Sequence, residues 1–413
     1  MSTDFVVAAQ MSSQLQAQDR RYIARIIDQV RQAVAAAGID ILCVGGAEVP
    51  ELYYALTEIP RKAAPQVYLW VPILSDFTSM RPEFRTINFQ GNPSQGWRGS
   101  ERWEEVGENF IFACPNNPAA CSSTIATLER LLTEYSFDGV FLDKIRFPST
   151  ANGFAELLSC FCPHCLAAAA KQGLDLTAVQ AMLNRMPKQK HWQEMSEVNL
   201  PQAAWLAALL GMLPSSDQDL LLRFLGFRAQ AITRLVKAIQ ALAVRKHLRL
   251  ALDLFSPGLA YLVGQDYLEL ANLAAWVKPM SYRYASGPAG LRLEIPELAR
   301  GLEQYLRLAP EVAERWLWAA VPELSGVRLS DLVQDGAPLE LIAAESRRAA
   351  TWLGSTPLYM GVEAVSIPAY RVEVHPSEVR QLVEIARESG AHGIVLSWDL
   401  LQIPEENLLA IRL

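Results

Sequence analysis

The sequence lacks the features of a membrane or exported protein. Its longest apolar run, residues 203–213 between Pro201 and Pro214, falls well short of the roughly 20 residues that a membrane-spanning helix needs. The N-terminal segment, Met1 to Asp4, has neither the basic region nor the small-residue cleavage site of a secretory signal. We therefore expect a cytoplasmic location and no membrane helix.

An excess of positive charge is also missing. The chain carries 37 Lys and Arg against 44 Asp and Glu, a formal net charge of -7, and the basic residues form no cluster. Nucleic acid and anionic membranes are not expected as partners, because both are bound through clustered positive charge. A neutral or weakly charged substrate fits this composition better, and the oligomeric state is left open.

Cysteine is scarce and unevenly placed. Six cysteines among 413 residues do not suggest a disulfide framework in a protein with these properties. Three of them lie together in the segment Cys160-Phe-Cys162-Pro-His-Cys165, a spacing typical of metal sites. The cysteines therefore predict a bound metal.

Hydrophobic residues make up 51% of the chain, and their pattern predicts a (β/α)₈ barrel. Short β-branched and apolar runs alternate with long segments of helical period, as in repeated βα units around a parallel sheet. Eight strands are predicted, at Phe5–Ala9, Ile39–Val44, Val67–Val71, Gly139–Leu142, Arg249–Leu254, Trp276–Met280, Leu358–Val362 and Ile394–Trp398.

Residues 1–413 are expected to form one barrel domain, because one barrel with a large insertion accounts for the length. The insertion is a helical excursion between strands four and five, at about 153–246. The segment Trp316–Val321 fits either a ninth strand or the end of a helix that begins near Pro310, and we interpret it as helix.

Asp143 is the leading candidate for a catalytic residue. It follows the buried strand Gly139–Leu142, and catalytic groups of such barrels lie at the carboxyl ends of the strands. The alternative is that Asp143 caps the next turn or pairs with Lys144 or Arg146.

The segment Leu142-Asp143-Lys-Ile-Arg146-Phe-Pro148 resembles strand four of glycoside-hydrolase-like barrels that carry Leu-Asp-x-Ile-Arg-aromatic-Pro. The resemblance implies a carbohydrate-active fold with roles for Asp143 and Arg146. It does not identify a substrate.

The cysteines are similar to the zinc cluster of family-42 β-galactosidases, in which a Cys-Pro loop after strand three joins a Cys-x-Cys-x-x-Cys loop after strand four. This resemblance implies a structural zinc ion held by Cys114, Cys160, Cys162 and Cys165. Cys121 and His164 are alternative ligands, and Cys43 is interpreted as a core residue. Family-42 enzymes have Asn-Glu where this chain has Leu142-Asp143, so their acid/base glutamate and their β-galactosidase activity do not carry over.

Cleavage of a glycosidic bond needs a second carboxyl group. Glu363 closes the predicted seventh strand and so should lie at the same barrel face as Asp143. Glu323, Asp253 and Asp399 are the rivals, and Glu323 would gain if Trp316–Val321 were a strand.

Residues that follow other strands are candidates for substrate binding, because aromatic rings stack on sugar faces while polar groups bind hydroxyls. These candidates are Arg146, Asp253, Lys278, Tyr282, Trp398 and Asp399. Arg228, in an apolar helix, is either buried towards the mouth or snorkels to the surface, and we favour the second interpretation.

The predicted function is a glycoside hydrolase that acts on an oligosaccharide or small glycoside. Two alternatives remain open. One is a carbohydrate-binding barrel without catalysis, which would lack a second carboxyl group near Asp143. The other is a zinc-thiolate transferase, which would need an open coordination position on the metal.

Overall fold

The computed structural model describes residues 5–13, 23–58, 65–76, 80–97, 99, 108–186, 213–367 and 372–412. Eight parallel strands run in the hydrogen-bonded order β6-β5-β4-β3-β2-β1-β8-β7. The strands are β1 Val6–Ser12, β2 Ile41–Gly45, β3 Gln66–Pro72, β4 Gly139–Asp143, β5 Arg249–Phe255, β6 Trp276–Met280, β7 Tyr359–Glu363 and β8 Gly393–Ser397.

The two ends of this sheet approach each other at β6 and β7. Val277 forms a parallel bridge to Leu358, and its N–H donates to the carbonyl of Pro357 at 3.0 Å. The sheet therefore forms a nearly closed barrel with helices around it, and the predicted (β/α)₈ fold is confirmed. All eight predicted strands are present, with ends that differ by at most three residues.

Helices alternate with the strands along the chain. They are α1 Ile23–Ala37, α2 Pro50–Thr57, α3 Pro118–Glu134, α4 Phe154–Leu157, α5 Pro163–Ala170, α6 Leu176–Arg185, α7 Ser215–Arg245, α8 Pro257–Ala260, α9 Tyr267–Ala271, α10 Leu291–Leu306, α11 Pro310–Ala320, α12 Leu329–Asp335, α13 Leu339–Leu353, α14 Pro376–Glu388 and α15 Glu405–Leu409. Within these elements, none is long and apolar enough to cross a bilayer.

The ambiguous segment at Trp316–Val321 forms the end of α11, which begins at Pro310 as expected. Glu323 consequently lies in a short 3₁₀ turn, Pro322–Leu324, and not at the end of a barrel strand. Between β4 and β5 the described residues are largely helical, from α4 to α7, while residues 187–212 lie outside the described ranges. The assignment of residues 1–413 to one domain stays a prediction.

Aromatic side chains fill the barrel near the start of the strands. The Trp276 ring stacks between Phe141 and Tyr359, with ring centroids 5.0 and 4.9 Å away, and Tyr68 packs beside it. Because strand side chains alternate between faces, the residue two positions further along also faces inward. On the eight strands these next inward positions hold Gln10, Gly45, Trp70, Asp143, Asp253, Lys278, Gly361 and Ser397. The aromatic floor therefore lies beneath a layer of mostly polar residues at the carboxyl ends.

Gly45, the last residue of β2, allows a close approach to β3 that any larger residue would prevent. A Cβ atom at this position would lie 2.0 Å from the backbone oxygen of Trp70. Backbone cannot move aside as a flexible side chain can, so Gly45→Ala should distort the β2–β3 pairing.

We expect Gly45→Ala to cost about 1–3 kcal/mol or more and to lower the melting temperature. The matched control is Gly226→Ala in α7, where the nearest atom to a new Cβ is the Tyr261 hydroxyl at 3.6 Å. Alanine is favoured over glycine within a helix by up to about 1 kcal/mol, so the control should melt at the same or a higher temperature. Equal melting of both variants would contradict this account of the barrel.

Candidate active site and metal centre

Asp143 lies at the carboxyl end of β4 and is almost fully buried. Its Oδ2 accepts a hydrogen bond from Trp70 Nε1 at 3.1 Å, and its Oδ1 accepts one from the backbone N–H of Lys144 at 2.5 Å. Lys144 adopts a left-handed backbone conformation with φ of 50°. The chain therefore turns sharply after Asp143, and two donors hold the carboxylate at the mouth of the barrel.

A second group of charges surrounds this carboxylate. Lys144 Nζ lies 2.6 Å from Asp76 Oδ2 and 3.6 Å from Glu108 Oε1, and 4.1 Å from the centre of the Phe110 ring. The sequence left open whether Asp143 pairs with Lys144. The carboxylate of Asp143 contacts only the backbone N–H of Lys144 in the hydrogen bonds described above, while the Lys144 ammonium group binds Asp76 and Glu108. Sequence analysis missed Asp76 and Glu108, because both lie in the long connection after β3 and follow no strand directly.

A buried hydrogen-bonded network occupies the centre of the barrel. Lys278 Nζ is 2.9 Å from Asp253 Oδ2 and donates to Gln10 Oε1 at 2.8 Å. Ser397 Oγ donates to the same Gln10 oxygen at 2.9 Å and lies 2.8 Å from the Tyr282 hydroxyl. Strands β1, β5, β6 and β8 are therefore tied together by polar contacts at one level.

Asp253 is the inward neighbour of Asp143 on the adjacent strand. Leu142 pairs with Leu252 in the sheet register, so the residues that follow them occupy equivalent positions of β4 and β5. Burial raises the pKa of Asp253 to about 7, Lys278 lowers it, and the negative charge of Asp143 raises it further. Asp253 Oδ1 has no hydrogen-bond partner among the described residues. The negative charge of Asp143 therefore favours the protonated form of Asp253.

Glu363 ends β7, as predicted, and is 1% exposed. Its Oε2 accepts hydrogen bonds from the backbone N–H groups of Arg283 at 2.6 Å and Tyr284 at 2.9 Å, and the Ala285 N–H also donates to the carboxyl group. Burial raises the pKa of Glu363 to about 7 despite these donors. The carboxyl group thus anchors the loop after β6 and gains a proton near neutral pH.

The remaining predicted binding residues differ in their surroundings. Tyr282 is buried, and its ring meets the half-buried Trp398 edge to face at 5.8 Å. Asp399 caps a short 3₁₀ helix by accepting from Leu401 N–H and from Gln402 Nε2. These residues follow β6 and β8, on the Glu363 side of the mouth.

Arg146 lies inside the protein rather than at a surface. Its guanidinium packs between the rings of Phe112 and Phe255, at 4.4 and 4.5 Å, and donates to the carbonyl of Phe147 at 3.0 Å. Burial lowers its pKa to about 10, while the charges of Glu294 and Asp143 raise it.

The four predicted cysteine ligands come together beside the barrel. The sulfurs of Cys114, Cys160, Cys162 and Cys165 all lie within 4.8 Å of one another, and Cys114 Sγ is 3.4 Å from Cys165 and 3.5 Å from Cys162. A tetrahedron of thiolates with metal–sulfur bonds of about 2.3 Å has sulfurs roughly 3.8 Å apart. The four buried cysteines are therefore positioned to bind a metal ion.

Backbone and amide donors surround these sulfurs. Ile87 N–H points to Cys160 at 3.3 Å, and Asn116 donates from its backbone to Cys114 at 3.4 Å and from its side chain to Cys165 at 3.3 Å. Such donors stabilise thiolates over thiols. The group thus links the connection after β3 to the one after β4.

The other cysteines and the histidine lie apart from this group. Cys121 donates to the carbonyl of Pro115 at 3.2 Å, and His164 is exposed. Cys43 packs in the barrel interior with the aromatic floor, as expected of a core residue.

No protein-family model and no curated protein matches the sequence. Solved structures do match. The glycoside hydrolase domain of PgaB (BpsB) from Bordetella bronchiseptica superposes with a TM-score of 0.56 and 14% identity over 98% of each chain.

Two further enzymes match over 98% of this chain. They are α-L-fucosidase isoenzyme 2 from Paenibacillus thiaminolyticus, with a TM-score of 0.54 and 12% identity, and a β-galactosidase from the psychrophilic Marinomonas ef1, with 0.53 and 11%. The match covers 48% and 58% of those two chains, so this chain spans about half of their length. The chain shares their barrel fold. The likeness of its motifs to family-42 enzymes and to the Leu-Asp-x-Ile-Arg barrels stays a prediction.

The raised pKa of Glu363 predicts a pH dependence of stability. Between its ordinary pKa of 4.5 and the folded value of about 7, the folded protein holds a proton that the unfolded chain has released. The contribution of this carboxyl group to the free energy of unfolding is therefore fully present below pH 4.5 and is lost as the pH rises through 7. The loss is on the order of 3 kcal/mol.

Glu363→Gln should abolish that loss. The free energies of unfolding of wild type and variant, measured at a series of pH values, should therefore converge or cross as the pH rises. The control is Glu373→Gln, which removes an exposed carboxyl group. Parallel stability profiles for wild type and Glu363→Gln would show that Glu363 titrates normally.

Proposed function

We propose that this chain is a glycoside hydrolase that cleaves an oligosaccharide or small glycoside at the carboxyl-end mouth of the barrel. The observation that carries the proposal is Asp143, held by Trp70 and the Lys144 backbone among further buried carboxyl groups. Solved structures of the same fold include carbohydrate-cleaving enzymes, which supports the same class of chemistry here.

In the proposed mechanism Asp143 and Glu363 form the carboxyl pair. A proton donor must be protonated at the working pH, and Glu363, with a pKa of about 7, meets this requirement. Asp143, which accepts two hydrogen bonds, suits the role of nucleophile or base. We expect a separation of about 5 Å and a retaining double displacement, whereas roughly 6.5–9.5 Å would accommodate the water of an inverting enzyme.

Asp253 is a second candidate for the partner of Asp143, and the sheet register favours it. It faces inward beside Asp143 on β5, its pKa is about 7, and its Oδ1 lacks a hydrogen-bond partner among the described residues. In that arrangement Glu363 would position the loop of Tyr282 and Tyr284 instead.

The aromatic pair of Tyr282 and Trp398 is proposed to form the sugar-binding wall. Aromatic faces stack on the apolar faces of sugars, and a sugar there would lie on the Glu363 side of the mouth. Lys278 is completely buried, so its proposed role is to hold Asp253 rather than to touch substrate.

The same observations weigh against the two alternatives. A binding barrel without catalysis would lack a carboxyl group near Asp143, yet Asp253 lies on the adjacent strand, close enough for the charge of Asp143 to raise its pKa. A zinc-thiolate transferase needs an open metal position, whereas four cysteines complete a tetrahedron and His164 is exposed.

We further propose that the metal at the four cysteines is zinc and that its role is structural. Tetrahedral coordination by thiolates is the usual environment of structural zinc. The ion would hold Cys114, in the connection after β3, against the Cys160–Cys165 segment and so support the loops around the mouth.

The catalytic proposal predicts that Asp143→Asn and Glu363→Gln each lose turnover of aryl glycosides by orders of magnitude while remaining folded. Both substitutions keep the shape and remove the titratable group. Asp253→Asn is assayed beside them, with Glu373→Gln as the exposed control. Activity lost in Asp253→Asn but kept in Glu363→Gln would assign the second role to Asp253, and substantial activity in Asp143→Asn would end the proposed mechanism.

The zinc proposal predicts about one zinc ion per purified chain, with metal–sulfur distances near 2.3 Å by X-ray absorption. Cys162→Ser should lose zinc and melt at a lower temperature, because zinc binding contributes folding free energy. Cys121→Ser, outside the cluster, should keep both. Folded wild-type protein without metal would contradict the proposal.

A further inference from the structure

Arg228, in the middle of α7, is a completely buried cation. The expectation that it snorkels to the surface is wrong. Its guanidinium donates to the carbonyls of Leu262 at 2.8 Å and Leu157 at 2.7 Å, and it lies over the rings of Phe147 and Phe224. A buried charge is costly unless an opposite charge compensates it.

Among the described residues, the groups whose negative charge acts on Arg228 are the cysteines Cys160 and Cys165, as thiolates, and not carboxylates. Burial lowers its pKa, and Cys160 and Cys165 raise it. Neighbouring contacts explain this proximity. Leu157 precedes Cys160 by three residues, and Phe224, one turn before Arg228, stacks on Phe161 between two of the cysteines at 5.3 Å.

A divalent ion bound by four thiolates carries a net charge of about −2, since four negative ligands exceed the charge of the metal. In a buried position this excess negative charge is itself unfavourable. The metal centre and Arg228 are thus two buried, oppositely charged groups, neither of which is neutralised by its immediate hydrogen-bond partners.

We propose that Arg228 is the buried counter-cation of the four-cysteine metal centre and increases its affinity for the metal. The inference rests on the proposed zinc ion, and it adds a residue that is distant in sequence from every ligand. An arginine suits the position because its planar group can pack against Phe147 and donate to two carbonyls at once.

The helix makes a second contact with the metal centre. Arg234, six residues after Arg228 on α7, donates to Asn116 Oδ1 at 2.9 Å, and Asn116 donates to Cys165. Both arginines thus connect α7 to the thiolates, one through charge and one through an intervening amide. The affinity for the metal should consequently depend on a helix that supplies no ligand.

The test measures zinc affinity of the full chain by competition with a chromogenic chelator, for wild type and for Arg228→Met, Arg228→Gln and Arg228→Lys. The neutral variants should bind zinc at least about tenfold more weakly, because they lose a charge that compensates the thiolates without contacting the metal. Arg228→Lys keeps the charge without the planar guanidinium fork that donates to the two carbonyls, and it should remain within a few-fold of wild type.

Arg146→Met is the matched control. Arg146 is equally buried between two phenylalanine rings and donates to a carbonyl, but the charges that act on it are Glu294, Asp143 and Asp76. It should keep wild-type zinc affinity even where its melting temperature falls.

Wild-type zinc affinity in Arg228→Met would overturn the proposal. A loss of zinc affinity in Arg228→Lys equal to that of the neutral variants would also overturn it, because the shape of the side chain and not its charge would then determine the affinity. If the neutral variants do not fold, the lysine variant decides, because a loss of zinc affinity of about tenfold or more despite the retained charge would overturn the proposal. Wild-type protein that binds no zinc would overturn the metal centre itself, an outcome distinct from failure of the role of Arg228.

Discussion

Every second residue of a barrel strand faces the barrel axis, and this alternation decides which side chains of the chain can meet. The aromatic residues near the strand starts place their rings on the axis, where Phe141, Trp276 and Tyr359 stack. Two positions later the same strands present Asp143, Lys278 and Gly361. Gly361 leaves space there, since a Cβ would lie 3.1 Å from Lys278 Cε.

Charges placed above this floor are out of water, so each must find a partner inside the barrel. Lys278 and Asp253 pair directly, and Gln10 and Ser397 extend the network across to β1 and β8. Glu363 is compensated differently, by backbone N–H groups of one loop. The network around Lys278 ties four strands together, and the hydrogen bonds of Glu363 attach the loop after β6 to the end of β7.

The four cysteines bring two long connections together. Cys114, in the connection after β3, lies close to Cys160, Cys162 and Cys165 in the connection after β4, and Phe161 N–H donates to the Ile87 carbonyl beside them. Arg228 then couples that junction to the loop at Leu262 and to α7. Loops that carry candidate site residues are thus supported from outside the barrel.

The sequence by itself determined the features that depend on local pattern. Strand and helix periodicity identified the eight strands, the helical end at Trp316–Val321 and the position of Asp143. The short Cys160–Cys165 spacing identified three of the four cysteines that lie together. Tertiary structure alone decided which distant groups meet: Asp76 and Glu108 beside Lys144, Asp253 beside Asp143, and Arg228 near the cysteines. Local periodicity reports which face of an element is buried, but the pairing of buried charges depends on strand register and loop paths, which no short segment encodes.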